Sequence, residues 1–131
     1  MATIKSFEDL DIWQKAHDLA ANIYALSEIN LKINKDYSFK DQLKRAGLSI
    51  SNNIAEGFEY NNNNYFNRYL CIAKGSCGEV RNCLRFAIKV NYTTESECAQ
   101  LIEDSKNLGA QIGSLIKYLK EKKQKPATRN S

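Results

Sequence analysis

Apolar residues recur at steps of three and four along most of the chain, the spacing of one buried face on an α-helix. Ile12, Trp13, Ala16, Leu19, Ala20, Ile23 and Leu26 form a broad apolar arc, with Gln14, Lys15, Asp18 and Asn22 on the other side. Ser6 with Asp9 reads as a capping box, and Glu8, Asp9 and Asp11 put negative charge where a helix start favours it. These signals predict a first helix over about 7–28. The period lapses between Glu28 and Tyr37, a polar connection, until Ser38 with Asp41 offers a second box and a helix over 38–58. Its core face is Leu43, Gly47, Ile50, Ile54 and Phe58. After Asn61 to Asn64, which supply a turn or an N-cap, Phe66, Leu70, Ala73, Cys77, Val80, Leu84 and Ala87 keep a heptad seam over 62–90. Thr94 with Glu97 opens a fourth helix over 94–122, carried by Cys98, Leu101, Ser105, Leu108, Ile112, Leu115 and Leu119. With short links and no strand-like alternation, the pattern predicts an all-α fold, an antiparallel up-down-up-down four-helix bundle.

Two surfaces exceed what such a bundle needs. Gly47, Ser49, Ser51, Asn52 and Asn53 each cost about 0.5–1 kcal/mol of helix propensity against Ala, so packing must hold the second helix. Opposite its core face run Arg45, Ser49, Asn52 and Glu56, small or hydrogen-bonding side chains suited to close approach rather than the Lys, Glu and Gln of a solvated face. The third helix carries a second strip, Tyr65, Tyr69, Ile72, Ser76, Glu79, Cys83, Phe86 and Val90, which one antiparallel partner cannot cover together with the first. Either two neighbours of the same bundle or another subunit must meet it. A subunit contact is therefore expected at Arg45, Ser49, Asn52, Asn53, Glu56, Ile72, Ser76, Glu79 and Phe86. A ring contact is heterologous, so two unlike helices can supply its two halves. Gly75-Ser76-Cys77-Gly78 interrupts a helix instead of following a strand, so these glycines read as close helix approach rather than a phosphate loop, and Gly109 with Gly113 reads the same way.

Length and charge narrow the classes. A chain of 131 residues with 43% hydrophobic content suits one domain. No run reaches the roughly 18 apolar residues of a membrane span, and the N-terminus lacks a signal-peptide core, so a cytoplasmic protein is expected. Cys71, Cys77, Cys83 and Cys98 have no metal-ligand spacing and read as small buried thiols, and His17, the single histidine, reads as a packed or edge side chain near Trp13 and Tyr24. No metal, cofactor or small-molecule substrate is indicated. The best acid–base set would be Arg45, Asn53, Glu56, Ser76 and Glu79, but no nucleophile, base and orienter are arrayed in it, so the chain reads as no enzyme. Net charge is +4, yet residues 1–116 hold thirteen basic against fourteen acidic side chains, and residues 117–131 hold six against one. Lys117, Lys120, Lys122, Lys123 and Lys125 are thus the candidates for RNA or DNA phosphate, and about 123–131, broken by Pro126, read as a disordered basic tail. The alternative is that these lysines end a helix favourably and keep it soluble.

Phe7 to Ala16, Gln42 to Ala46, Ser49 to Gly57, and Ile72 to Ser76 with Glu79 together resemble a bacterial four-helix-bundle family that includes the 23S rRNA intervening-sequence proteins. The resemblance covers about residues 7–120, with Gly47 and Ser51 standing where Ala and Pro are usual, and no Pro-Glu before the second helix. It implies a left-handed bundle assembled as a cyclic homopentamer, of unsettled biochemical role. It also implies a relation to the accessory variability determinant protein of diversity-generating retroelements, a pentameric barrel with a basic surface that works with nucleic acid and a reverse transcriptase. The functional expectation is a non-enzymatic homo-oligomer that binds RNA or DNA through basic surfaces. A structural adaptor for another protein, with no nucleic-acid role, is the alternative.

Overall fold

A 3-10 turn at Phe7–Asp9 leads into five helices: α1 (Asp11–Ile29), α2 (Leu31–Lys35), α3 (Tyr37–Glu59), α4 (Asn63–Lys89) and α5 (Glu95–Lys123). This is a computed structural model that describes residues 4–123, and no strand occurs among the described residues. The last residues, with Lys125 and the disorder expected of that tail, lie outside the described residues. α3 packs on α4, α4 on α5, and α1 on both α3 and α5, so the four long helices surround one core.

The helix ends follow side-chain chemistry, with two corrections to the expected starts. The Ser6 N–H donates to the Asp9 carboxylate (3.3 Å), but this pair closes only the 3-10 turn. Leu10 is then extended and packs against the core beside Trp13, and α1 starts at Asp11 rather than at residue 7. Asp36, not Ser38, caps α3, because its carboxylate accepts both the Phe39 N–H (3.1 Å) and the Tyr92 hydroxyl (2.8 Å). Those two bonds, the backbone one first, hold the Asp36 carboxyl below its ordinary value. The Thr94–Glu97 box forms in full: Thr94 N–H reaches the Glu97 carboxylate (3.1 Å) and Glu97 N–H reaches the Thr94 hydroxyl (3.2 Å). Asn61 takes φ 51 and Asn62 caps α4 from its side chain, so the asparagine run supplies both a turn and an N-cap.

The polar connection holds a helix that the lapsed period hid. Ile33 is completely buried, and this one apolar anchor suffices to set α2 against the core. Asn30 caps it, accepting the Ile33 N–H (2.9 Å) while its amide donates to the Tyr92 carbonyl (2.8 Å).

The core is the expected one: Ile12, Ala16, Leu19, Ile23, Leu43, Ile50, Ile54, Leu70, Ala73, Cys77, Val80, Leu84, Cys98, Leu108, Ile112 and Leu119 are buried together. Burial within it satisfies its hydroxyls locally: Ser27 donates to the Ile23 carbonyl (2.9 Å) and Ser105 to that of Ile102 (2.8 Å). The glycines divide into two kinds. A Cβ on Gly57 would lie 2.6 Å from the Tyr69 Cβ and one on Gly47 2.9 Å from the Ile23 Cδ1, true close approaches. A Cβ on Gly75 or Gly78 would meet nothing within 4 Å, so close approach within the chain does not account for those two.

Candidate functional site

The expected contact residues fall into an inner and an outer group along the α3–α4 pair. Ser76 is buried on α4, and its hydroxyl lies 3.0 Å from that of Ser49 on α3. The Asn53 amide donates to the Ser49 carbonyl (2.8 Å) and to its hydroxyl (3.0 Å). Ser49, Asn53 and Ser76 therefore join the two helices of one chain, and the line Arg45, Ser49, Asn52, Glu56 is not one outward face. Arg45, Asn52, Glu56 and Glu79 are exposed, with Arg45 paired to Asp41 (3.1 Å). So are the large apolar side chains of α4: Ile72 is 48% exposed and Phe86 52%, with Leu48 of α3 at 37%. Phe86 touches only the edge of a cluster, 5.9 Å from the Phe39 ring. Of the second α4 strip, Ser76 and Cys83 turned inward while Tyr65, Ile72, Glu79, Phe86 and Val90 stayed outside.

The acid–base set is not one site. The Ser76 hydroxyl meets another hydroxyl rather than a base, Arg45 is engaged by Asp41, and Glu56 bears on Tyr69. His17 is exposed and stacks on Trp13, ring centroids 4.5 Å apart. Three of the four cysteines are buried as expected, but Cys71 is exposed on the outer side of α4; burial raises the Cys83 and Cys98 thiols and pushes Cys77 up to about 11. Among the described residues, no three His, Cys, Asp or Glu side chains converge as a metal site, and no helix is long and apolar enough to cross a membrane. An open cleft of about 620 Å³ between α1 and α5 is lined by Lys15, Asp18, Asn22, Asp104 and Asn107 over Leu19 and Leu108.

Of the lysines singled out, Lys117 and Lys120 are exposed on α5, and Lys122 lies over the Tyr118 ring, 6.0 Å from its centroid. Residues 8–114 match the family model described as 23S rRNA-intervening sequence protein. The chain belongs to that family. The match spans α1 to α4 and most of α5, including the Ser49, Asn53 and Ser76 cluster and the exposed α4 face, and ends before Lys117. The fold is similar to the crystal structure of a protein of unknown function from the S23 ribosomal protein family of Bacteroides thetaiotaomicron VPI-5482. The TM-score is 0.76 at 25% identity over 81% of this chain and 98% of that one. No curated protein matches the chain.

Two features of this family member escaped the sequence reading. Tyr60 stacks on Tyr65 (4.9 Å) and on Tyr69 (5.4 Å) beside the asparagine turn. The i, i+4 spacing of Tyr65 and Tyr69 was the available signal. Lys74, Arg81 and Lys106 share the α4–α5 side with Lys117 and Lys120, a grouping that depends on how the two helices meet.

Proposed function

We propose that this member of the family is a non-enzymatic protein of one domain that assembles through the outer α3–α4 face into a cyclic homo-oligomer and binds RNA or DNA on its basic surfaces. The subunit in this reading is an antiparallel up-down-up-down left-handed bundle, and the ring is the pentamer that the family resemblance implies. The observation that carries the reading is the exposed face of Ile72, Gly75, Phe86 and Leu48. It combines large apolar side chains in water with a glycine whose lost helix propensity, about 1 kcal/mol, is offset by no packing inside the chain. A second subunit pressed close to the α4 backbone would explain both. Arg45, Asn52, Glu56 and Glu79 would form the polar rim, and Ser49, Asn53 and Ser76 would brace the face from beneath.

Light scattering on the full chain tests this. Ile72→Glu or Phe86→Glu should lower the assembly state, since an unpaired charge buried at a contact costs several kcal/mol. Both side chains are already exposed in one subunit, so its helices should survive. Glu at Asn22, on the far side of α1, should leave assembly unchanged. A monomeric wild type would refute the ring and leave the same face to a different protein, the adaptor reading. A ring that persists through both substitutions would put the contact elsewhere.

A further inference from the structure

We propose that the seam between α4 and α5 is the phosphodiester-backbone site of this protein, formed by Lys74 and Arg81 of α4 with Lys106, Lys117 and Lys120 of α5. This rests on the nucleic-acid reading above and says where on the chain it is carried.

The register of the two helices is fixed by their glycines. A Cβ on Gly109 would face the Cys77 Cβ at 3.5 Å, and one on Gly113 would face the Lys74 Cε at 3.0 Å. As α5 advances by one turn, α4 therefore runs back by one. On α5, Lys106, Gly113, Lys117 and Lys120 follow at steps of seven, four and three, and so share the Gly113 side. On α4, Lys74, Gly78, Arg81 and Arg85 follow at steps of four, three and four, and so share the Lys74 side. The two strips flank one groove. Burial raises the Cys77 thiol, and the charges of Arg81 and Lys74 partly oppose it, so both lie near that thiol. Gly78, with nothing near its Cβ position, and Gly113, met only by the Lys74 chain, keep the groove open to its helix backbones.

Unpaired positive charge gathers along this groove. Arg85 is bound by Glu95 (2.9 Å), whereas Lys74, Arg81, Lys106, Lys117 and Lys120 make no ion pair among the described residues. Elsewhere Lys15 pairs with Asp11 on α1 and Arg45 with Asp41 on α3, while Lys40, Lys44 and Arg68 lie over tyrosine rings. Glu103 and Glu121 flank the α5 strip at its outer edge. From Lys106 to Lys120 the strip runs roughly 21 Å at 1.5 Å per residue, about six base steps of a duplex. With five cations free of ion pairs along it, the groove suits a polyanion held by its phosphate backbone. Lys122 is excluded, because it turns to the Tyr118 side of α5.

Fluorescence anisotropy on the full chain, with labelled oligouridylate and with mixed-sequence RNA and DNA duplexes as probes, tests the site. If all five cations neutralise phosphates of a single strand, log K should fall against log salt with a slope of about −3.5. Lys74→Ala and Lys117→Ala should each flatten that slope by about 0.7 and weaken binding about fivefold at 0.1 M salt. Gly78→Glu should weaken it by a similar factor, and because nothing meets its Cβ the helix content should stay unchanged. Lys122→Ala should bind as wild type. Wild-type binding that Lys74→Ala and Gly78→Glu leave intact overturns the seam while sparing the nucleic-acid reading. A wild type that binds no probe at low salt overturns both. The stronger of the duplex and single-strand responses identifies the partner.

Discussion

Alanine at Gly57 and at Gly78 should move stability in opposite directions, although both glycines lie within long helices. Helix propensity favours Ala over Gly by about 0.8–1 kcal/mol at either position. At Gly78 nothing lies within 4 Å of the new methyl, so that gain stands whole and Tm should rise by roughly 3–5 °C. At Gly57 the methyl would sit 2.6 Å from the Tyr69 Cβ and 3.3 Å from the Phe66 Cδ1. Carbon atoms at rest are about 3.5–4.0 Å apart, and a Cβ cannot rotate away from its own backbone. The α3–α4 pair must therefore part by close to an ångström, at an overpacking cost of about 1–3 kcal/mol. Net destabilisation of about 0–2 kcal/mol remains after the propensity gain. Gly47→Ala should fall between, since the Ile23 Cδ1 at 2.9 Å ends a flexible chain that can turn aside. Urea unfolding followed by helical circular dichroism, at matched m-values, measures all three. Gly57→Ala as stable as Gly78→Ala would refute the reasoning.

Two further outcomes follow from titratable groups. The hydrogen bond to Tyr60, then burial and the Glu56 charge, push Tyr69 up to about 12, above its ordinary value of 10.0. Between those two values the unfolded chain has released this proton and the folded chain has not, so stability should fall as pH rises through that window, and Tyr69→Phe should flatten the fall in alkaline urea titrations. Thiol titration of the native protein should find Cys71 reacting fast and Cys77, Cys83 and Cys98 only on unfolding. Their burial disfavours the thiolate, and more than one fast thiol would contradict the core.

What the sequence disclosed was whatever a helical period encodes. The heptad seam from Phe66 to Ala87 and the Cys98 to Leu119 spacing reported core faces directly, because each position repeats the same burial. Isolated contacts repeat nothing. Ile33 alone anchors α2, so no period announces it, and the Asp36 carboxylate that caps α3 in place of Ser38 also takes the hydroxyl of Tyr92, which lies far along the chain. Helical projection placed Ser49 and Ser76 on outward strips, while the structure turns both hydroxyls toward each other across the α3–α4 pair. Tail lysines stood out by density, whereas the five-cation seam needs the register of two helices, which Gly109 and Gly113 fix only once the chain is folded.

Asn30 and Asp36 bear on the order in which the chain closes. Each caps a helix locally and also takes a partner near Tyr92, the two long-range bonds joining residues 62 and 56 positions apart. The α3–α4 and α4–α5 pairs are neighbours in sequence and cost little loop entropy to bring together, but the Asn30 and Asp36 bonds must wait for nearly half the chain to return. They act as a latch set late, after the hairpins have met. Weakening the latch by Asn30→Ala should therefore leave the folding rate almost untouched and appear chiefly as faster unfolding, so that its effect is on how long the folded protein lasts rather than on how readily it forms.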